Sequence, residues 1–466
     1  MISVLPTLLL LLATSCETSR AGRNGAMATS SSLLQKDVCS GPKVTPSIIN
    51  GTWLPLYHRR SPCSPSSSSR TTTSMASMLP SDKLRAESIQ RQLSSSKNGS
   101  AAGDVTVPTT LGSSLGTLQY VVAVRLGTPG VAQTVHIDTG SDLSWVQCRP
   151  CSVRRRRCHP QKDAFFDPAR SSTYSAVACR SAACAELARS GYANGCSKAR
   201  SLCKYVVNYS DGSNTTGTYS SDELALTSSA AVAGFRFGCS HADEGGAGDE
   251  QSAGLLGLGG GAQSLVSQLG ERAFSYCLPA TASATGFLTL GAAPPRRAAA
   301  ASRYAVTPMY RAAQAPTFYL VRLQAIAVAG RRLRVPPSAF AAGVVLDSGT
   351  IVTRLPPAAY RALRAAFRKE MAAYPRARPR SILDTCYDLG GAAATGDIRV
   401  PRVALVFDGG AAVELHPSGV MEQGCLAFAP TGGDGATGII GNVQQRTLEV
   451  LYDVGGGAVG FRRGVC

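Results

Sequence analysis

The run Leu8-Leu9-Leu10-Leu11-Leu12 is too short to span a bilayer, no later stretch is apolar enough to cross one, and no hydrophobic tail for a lipid anchor is seen. An integral membrane anchor is therefore not expected. Acidic residues are scarce: 29 Asp and Glu face 47 Lys and Arg, leaving a formal charge of +18. Such an excess suits polyanions such as nucleic acid, acidic polysaccharide or a membrane surface. No RNP-like, helix-turn-helix or zinc-finger pattern turns that charge into nucleic-acid recognition, so no nucleic-acid partner is expected. An anionic cell-wall polymer is retained as a candidate partner. The plainer reading is a basic surface that keeps the protein soluble in acid or beside such polymers.

Two short acidic motifs carry most of the information: Asp138-Thr139-Gly140-Ser141 and Asp347-Ser348-Gly349-Thr350. Each follows a short β-type apolar run, Val135 to Ile137 and Val344 to Leu346. Each is answered later by an apolar pair flanked by glycine, Leu255-Leu256-Gly257 and Ile439-Ile440-Gly441. The plan of strand, acid, turn and glycine-apolar pair thus occurs twice, which implies two similar lobes offering one carboxylate each. Facing carboxylates cannot both ionise cheaply; they share a proton and their pKa values split. One residue type then supplies both a general base and a general acid, enough to activate water against an amide. In each motif the glycine lets backbone N–H groups approach the carboxylate. The hydroxyls of Ser141 and Thr350, three residues after the acids, are placed to bond the outer carboxylate oxygens. No metal or organic cofactor is implied.

The bulk numbers agree with this plan. A chain of 466 residues exceeds what one core usually supports. With 44% hydrophobic and 16% charged residues, 48 glycines and many short β-like runs, it reads as a mostly β globular protein. Of 15 cysteines, Cys16, Cys39 and Cys63 lie in the first hundred residues. The other twelve, Cys148 to Cys466, form an even set suited to six disulfides in an oxidising compartment. Spacing leaves their connectivity open. Cys148-x-x-Cys151 with Cys158-His159 has zinc-like spacing, but a second compact ligand pair is wanting, and no metal site is expected.

Residues 1–20 contain a core of signal-peptide length, although no Lys or Arg precedes it, and the Ser-rich stretch Ser19 to Lys36 offers an organelle transit peptide as the alternative. The expected location is secreted, extracellular or apoplastic, with vacuole and plastid as alternatives. Residues 21–104 are rich in Ser, Thr and Arg with one helix-like patch from Ser81 to Leu93. They are expected to be a removable, largely disordered pro-segment whose basic side chains lie across an acidic cleft at neutral pH. Residues 105–300 are expected to form an N-terminal catalytic lobe with a cysteine-rich insert, Cys148 to Cys203. Residues 301–466 form a C-terminal lobe with one amphipathic helix, Pro357 to Ala373, marked by Tyr360, Leu363 and Phe367.

Four further local features lie outside the acid motifs. Asp211-Gly212 is a hairpin-turn signal between strand-like Tyr205–Tyr209 and Gly217–Ser220. Asn208-Tyr-Ser210 and Asn214-Thr-Thr216 fit the glycosylation rule, as do Asn50 and Asn98. His136 lies two positions before Asp138, on the same strand face, and is expected to be packed and hydrogen-bonded. Arg154 to Arg157 form a basic knob before Cys158, read as a solvated loop.

Together these residues resemble the pepsin-like aspartic endopeptidases, and most of all their plant nepenthesin-like branch. The resemblance rests on Asp138-Thr-Gly-Ser-Asp-Leu-Ser-Trp-Val-Gln-Cys148, Asp347-Ser-Gly-Thr350, Ile439-Ile-Gly-Asn-Val-Gln-Gln-Arg446 and Val450-Leu-Tyr-Asp453, and it covers about Tyr120 to Cys466. It implies an all-β, bilobal fold of two related β-barrel-like lobes. A central cleft between them would bind an extended polypeptide as substrate, and the protein is expected to act as a monomer at acidic pH. It also implies a flap hairpin, here Tyr209-Ser210-Asp211-Gly212-Ser213 with Ser210 where the family has glycine. Tyr209 would be the flap tyrosine and Trp145 its hydrogen-bond partner. The family pattern implies the pairs Cys148–Cys151, Cys158–Cys239, Cys179–Cys203, Cys184–Cys196, Cys277–Cys466 and Cys386–Cys425. Relatives that act as inhibitors of cell-wall hydrolases are the rival reading; they tend to lose or alter the acid motifs, and both are intact here.

Overall fold

The computed structural model describes residues 51–66, 75–94, 110–111, 117–151, 153, 157–199, 201–244, 251–270, 273–291, 304–390 and 398–466. Residues 1–20, expected to be a signal peptide, and Asn50, Asn98, Arg154 to Arg156 and the connection at 292–302 lie outside these residues. The described chain is mostly strand. Short β-branched and aromatic runs alternate buried with half-exposed positions, as in Cys203–Tyr209, where every second side chain is buried.

A 16-stranded sheet runs through the N-terminal lobe and on into the C-terminal strands. Toward one end of it, Leu448–Asp453 lies antiparallel to Ala273–Cys277, so the two halves of the sequence share one ladder. Phe274 stacks on Tyr452 at 4.5 Å beside Tyr319, and this aromatic knot belongs to the main core. The C-terminal lobe is completed by one six-stranded and two four-stranded sheets.

Both lobes build the same device around their acid. In the N-terminal lobe Val131–Asp138 runs parallel to Gly254–Gly257, with Ile137 opposite Leu256, while Trp145–Gln147 flanks the other side antiparallel, with Trp145 opposite Leu255. In the C-terminal lobe Val344–Leu346 runs parallel to Gly438–Ile440, whose other edge pairs antiparallel with Thr353–Leu355, with Arg354 opposite Ile439. The glycine-apolar pairs are therefore the strands against which each acid-bearing strand is clamped. All six apolar residues before the two acids and in the two pairs' leading positions (Ile137, Leu255, Leu256, Val345, Leu346, Ile439) are buried.

Two expectations need correction. The region 21–104 contains regular structure in two stretches. Thr52–His58 is a strand inserted between Thr285–Gly291 and Tyr120–Leu126, and Met75–Ser94 is a 20-residue helix. The helix has too few apolar residues to fold alone, but Met75, Met78 and Leu79 pack against Ile351, Val352 and Val443, and Ala86, Ile89 and Leu93 against Phe318, Val345 and Ile439. The partner surface, absent from any local reading, supplies its order. The amphipathic helix expected in the C-terminal lobe runs Pro357–Glu370, with Tyr360, Leu363 and Phe367 buried, and ends before the expected Ala373. Pro375 disfavours helical backbone at the residue before it, and the chain turns out there.

The disulfides also depart from the family-derived pairing. The structure joins Cys148–Cys239, Cys151–Cys158, Cys179–Cys196 and Cys184–Cys203 in place of the four expected insert pairs. Cys277–Cys466 and Cys386–Cys425 are joined as well. The strand frame accounts for the first exchange: Val146 lies opposite Cys239 in a parallel ladder, which brings the neighbouring Cys148 within a 5.4 Å Cα separation of Cys239. Cys151 is then left to the nearby Cys158. With Cys148, Cys151 and Cys158 all oxidised, none is free to ligate zinc.

Candidate active site

Asp138 and Asp347 end their strands at the lobe boundary and are fully buried. Each acid is held by its own turn. Gly140 N–H donates to Asp138 Oδ1 at 2.9 Å and Gly349 N–H to Asp347 Oδ1 at 3.1 Å. The Ser141 hydroxyl donates to Asp138 Oδ2, and that of Thr350 to Asp347 Oδ2. The turns also lock to each other across the lobes. Thr139 N–H donates to Ser348 Oγ at 3.0 Å, and Ser348 N–H donates to Thr139 Oγ1 at 3.0 Å. A side chain on either glycine would collide with the opposing acid: a Cβ at 140 would lie 2.7 Å from Asp347 Oδ1, and one at 349 would lie 2.6 Å from Asp138 Oδ1. The two carboxylates thus face one another in a cradle with no room for larger turn residues.

One guanidinium sits between them. Arg85, from the helix Met75–Ser94, donates from Nε to Asp347 Oδ2 at 2.7 Å and from Nη2 to Asp347 Oδ1 at 2.6 Å. It also donates from Nη2 to Asp138 Oδ1 at 2.7 Å and from Nη1 to Asp138 Oδ2 at 3.3 Å. All three side chains are fully buried. Burial pushes the Asp138 carboxyl up, but the Arg85 charge and hydrogen bonds, with Ser141 and Gly140, outweigh it and hold the group below the usual carboxylate range. Burial alone would lower Arg85, yet the two carboxylates hold it well above its ordinary value. A planar fork that meets two carboxylates side-on is a task for Arg rather than Lys.

One turn earlier on the same helix, Asp82 is also buried. Its Oδ1 accepts from Ile351 N–H at 2.5 Å and its Oδ2 from Arg354 Nη2 at 2.6 Å. Burial raises the Asp82 carboxyl, and Arg354 only partly opposes that.

The hairpin Cys203–Tyr209 with Asn214–Ala225 closes the site from the N-terminal side. Gly212 takes φ +85° at its tip, and Asp211 Oδ1 accepts from the Ser213 N–H and hydroxyl. Tyr209 is buried, and Trp145 Nε1–H donates to its hydroxyl at 2.6 Å. Burial pushes the Tyr209 phenol well above its ordinary value, so it stays protonated. Ser210 lies in this turn. Asn208 and Asn214 face each other across the hairpin and are half-buried. His136 is buried in the strand before Asp138, opposite Val121 and Leu255. A local reading finds neither Arg85, Asp82 nor Arg354. The i, i+3 spacing of Asp82 and Arg85 and the position of Arg354 seven residues after Asp347, where Trp145 stands after Asp138, are the signals that point to them.

This frame matches known proteins along most of its length. Residues 120–292 match a family model described as xylanase inhibitor N-terminal, and residues 318–463 match one described as xylanase inhibitor C-terminal. An aspartyl protease family protein of Arabidopsis thaliana is 40% identical over 430 residues, covering 89% of this chain and 87% of its own. Aspartic proteinase nepenthesin-2 of Nepenthes gracilis is 34% identical over 357 residues, covering 74% of this chain and 77% of its own. The chain belongs to the plant pepsin-like aspartic proteases. It is an aspartic-type endopeptidase, and polypeptides are its substrates. The protease shares its bilobal fold with soybean basic 7S globulin, at TM-score 0.57 and 21% identity over 74% of this chain and 91% of that one. Among the described residues no helix of the protease is long and apolar enough to cross a membrane.

Proposed function

We propose that Asp138 and Asp347 are the catalytic dyad, that the protease cleaves extended polypeptides at acidic pH, and that residues 21–104 are a removable pro-segment in which Arg85 caps the dyad. The observation that carries this reading is one buried guanidinium bonded to two carboxylates, one from each lobe. Once Arg85 leaves, two buried carboxylates at this separation retain one proton between them. The ionised member takes a proton from a water held between them, and the protonated member donates to the scissile carbonyl oxygen as the water oxygen bonds to the carbonyl carbon. Collapse of the tetrahedral species breaks the C–N bond, with a proton delivered to the departing amine. Ser141 and Thr350 keep the outer oxygens in place, while Tyr209 and Trp145 order the flap and exclude bulk water.

The acid dependence has a definite sign. Asp138 is depressed below its ordinary value by Arg85. The ion pair therefore contributes its full stability above the ordinary carboxylate pKa near 3.9, and that contribution is lost as pH falls through the lowered value. Acidification weakens the cap and creates the shared-proton state in one step. Six disulfides in the catalytic lobes support export to an oxidising compartment behind a signal peptide at 1–20.

The test is to incubate the full chain with denatured haemoglobin at pH 3–5 and at pH 7, with and without pepstatin, and to sequence the termini of the products. Pepstatin-sensitive cleavage confined to acid, with loss of the chain before about Val105, is expected. Absence of cleavage at every pH would refute the reading.

A further inference from the structure

We propose that Arg354 is a specificity-determining residue that selects an acidic side chain in the substrate close to the scissile bond, and that Asp82 fills its place before the upstream helix departs. This rests on the peptidase reading above and adds the substrate chemistry.

Arg354 is 4% exposed at the side chain, and its Nη2 meets Asp82 Oδ2 at 2.6 Å. Among the described residues Asp82 is its only carboxylate partner, and its Nε, also buried, has no hydrogen-bond acceptor. The chain therefore carries a cation beside the dyad whose counter-charge is supplied by a helix proposed to be lost. With the helix gone the guanidinium loses its carboxylate and opens toward the cleft, and a carboxylate arriving on another chain would restore both the charge balance and the acceptor. The same carboxylate would find a second donor already in place, since Asp82 also accepts from the main-chain N–H of Ile351.

The position relative to the dyad follows from helix geometry. Asp82 precedes Arg85 by three residues, so the two share one helix face with an axial offset of about 4.5 Å. An extended peptide advances about 3.3 Å per residue and returns to the same face every second residue. That offset falls between one and two residues of extended chain, so a side chain one or two residues from the scissile bond is the one that meets Arg354. The N-terminal lobe has Trp145 at the matching site, seven residues after its acid and in the same ladder register, and that side chain is engaged by Tyr209. The C-terminal lobe presents a charge to the cleft instead.

The experiment compares matched peptide pairs that differ only by Glu or Gln, placed in turn at three positions on either side of one cleavable bond, with the acid-activated protease at pH 5. At one position kcat/KM for Glu should exceed that for Gln by about tenfold or more. The ratio should fall toward one below pH 4, as the Glu carboxyl with its ordinary pKa near 4.3 becomes neutral. In Arg354→Gln the ratio should collapse to about one at pH 5, and in Arg354→Glu a Lys peptide should overtake the Glu peptide. Cleavage of both members with no acidic preference at any position would overturn this inference and leave the peptidase reading standing. A preference that survives in Arg354→Gln would overturn it too. Failure to cleave either member at any pH would instead overturn the peptidase reading. If the variants do not fold, the wild-type peptide pairs alone still decide between preference and none.

Discussion

The two lobes hold their acids in the same way and differ in what surrounds them. Each sets a glycine-apolar strand between the parallel aspartate-bearing strand and an antiparallel flank, and each closes the turn with a glycine N–H and a hydroxyl three residues on. Past that point they diverge. The N-terminal lobe uses its flank for Trp145, which anchors the flap through Tyr209, and adds a disulfide-rich insert. The C-terminal lobe puts Arg354 at the matching place and offers the apolar surface on which the helix Met75–Ser94 lies. Placement of the carboxylates therefore depends on what the lobes share, whereas the proposed cover, inhibition and selectivity depend on where they differ.

The largest effect that sharpens this contrast is expected from Arg85→Met. Leaving two carboxylates without their cation should cost the docked helix about 3–5 kcal/mol. Limited proteolysis between residues 67 and 117 should then begin at a higher pH than in the wild type. An unchanged onset would mean that the C-terminal apolar face alone holds the helix. Next come the disulfides. Cys277–Cys466 closes a separation of 189 residues and Cys386–Cys425 one of 39, so loop entropy makes the first worth about 1 kcal/mol more to the folded state. Paired serine substitutions should lower the denaturation midpoint more at 277 and 466 than at 386 and 425, and the reverse order would count against loop entropy as the source of the difference. The smallest effect is expected from Tyr209→Phe. It removes one buried hydrogen bond, worth about 1 kcal/mol, and should reduce kcat/KM about fivefold. Trp145→Phe should give a similar loss, and the double variant should lose little more, because both changes break the same contact.

How much was legible in the sequence follows the same division. The duplicated motifs give the bilobal all-β class, because an apolar run before Asp138 or Asp347 and its glycine-apolar partner are local patterns with one sensible pairing. The Asp211-Gly212 hairpin is legible for the same reason. The insert's connectivity is not: Cys148 meets Cys239 because Trp145–Gln147 lies parallel to the strand carrying Cys239, and spacing along the chain carries no trace of that ladder. Of the upstream helix only a patch, Ser81 to Leu93, reads as helix-like in a stretch otherwise expected to be disordered, because its stabilising surface belongs to Phe318, Val345 and Ile439, hundreds of residues away. Arg85 and Arg354 are hidden by the same circumstance, since a basic side chain in a sequence of +18 net charge has no local mark of burial.

The claim that the two aspartates act as one unit is tested most directly by kcat/KM on a single fluorogenic peptide at pH 4 for acid-activated wild type, Asp138→Asn, Asp347→Asn and the double variant. Each single change is expected to lower the rate by roughly 10⁴-fold, and the double variant to fall no further, because removing either proton carrier abolishes the same step. A single variant that keeps substantial activity, or losses that multiply in the double variant, would contradict it.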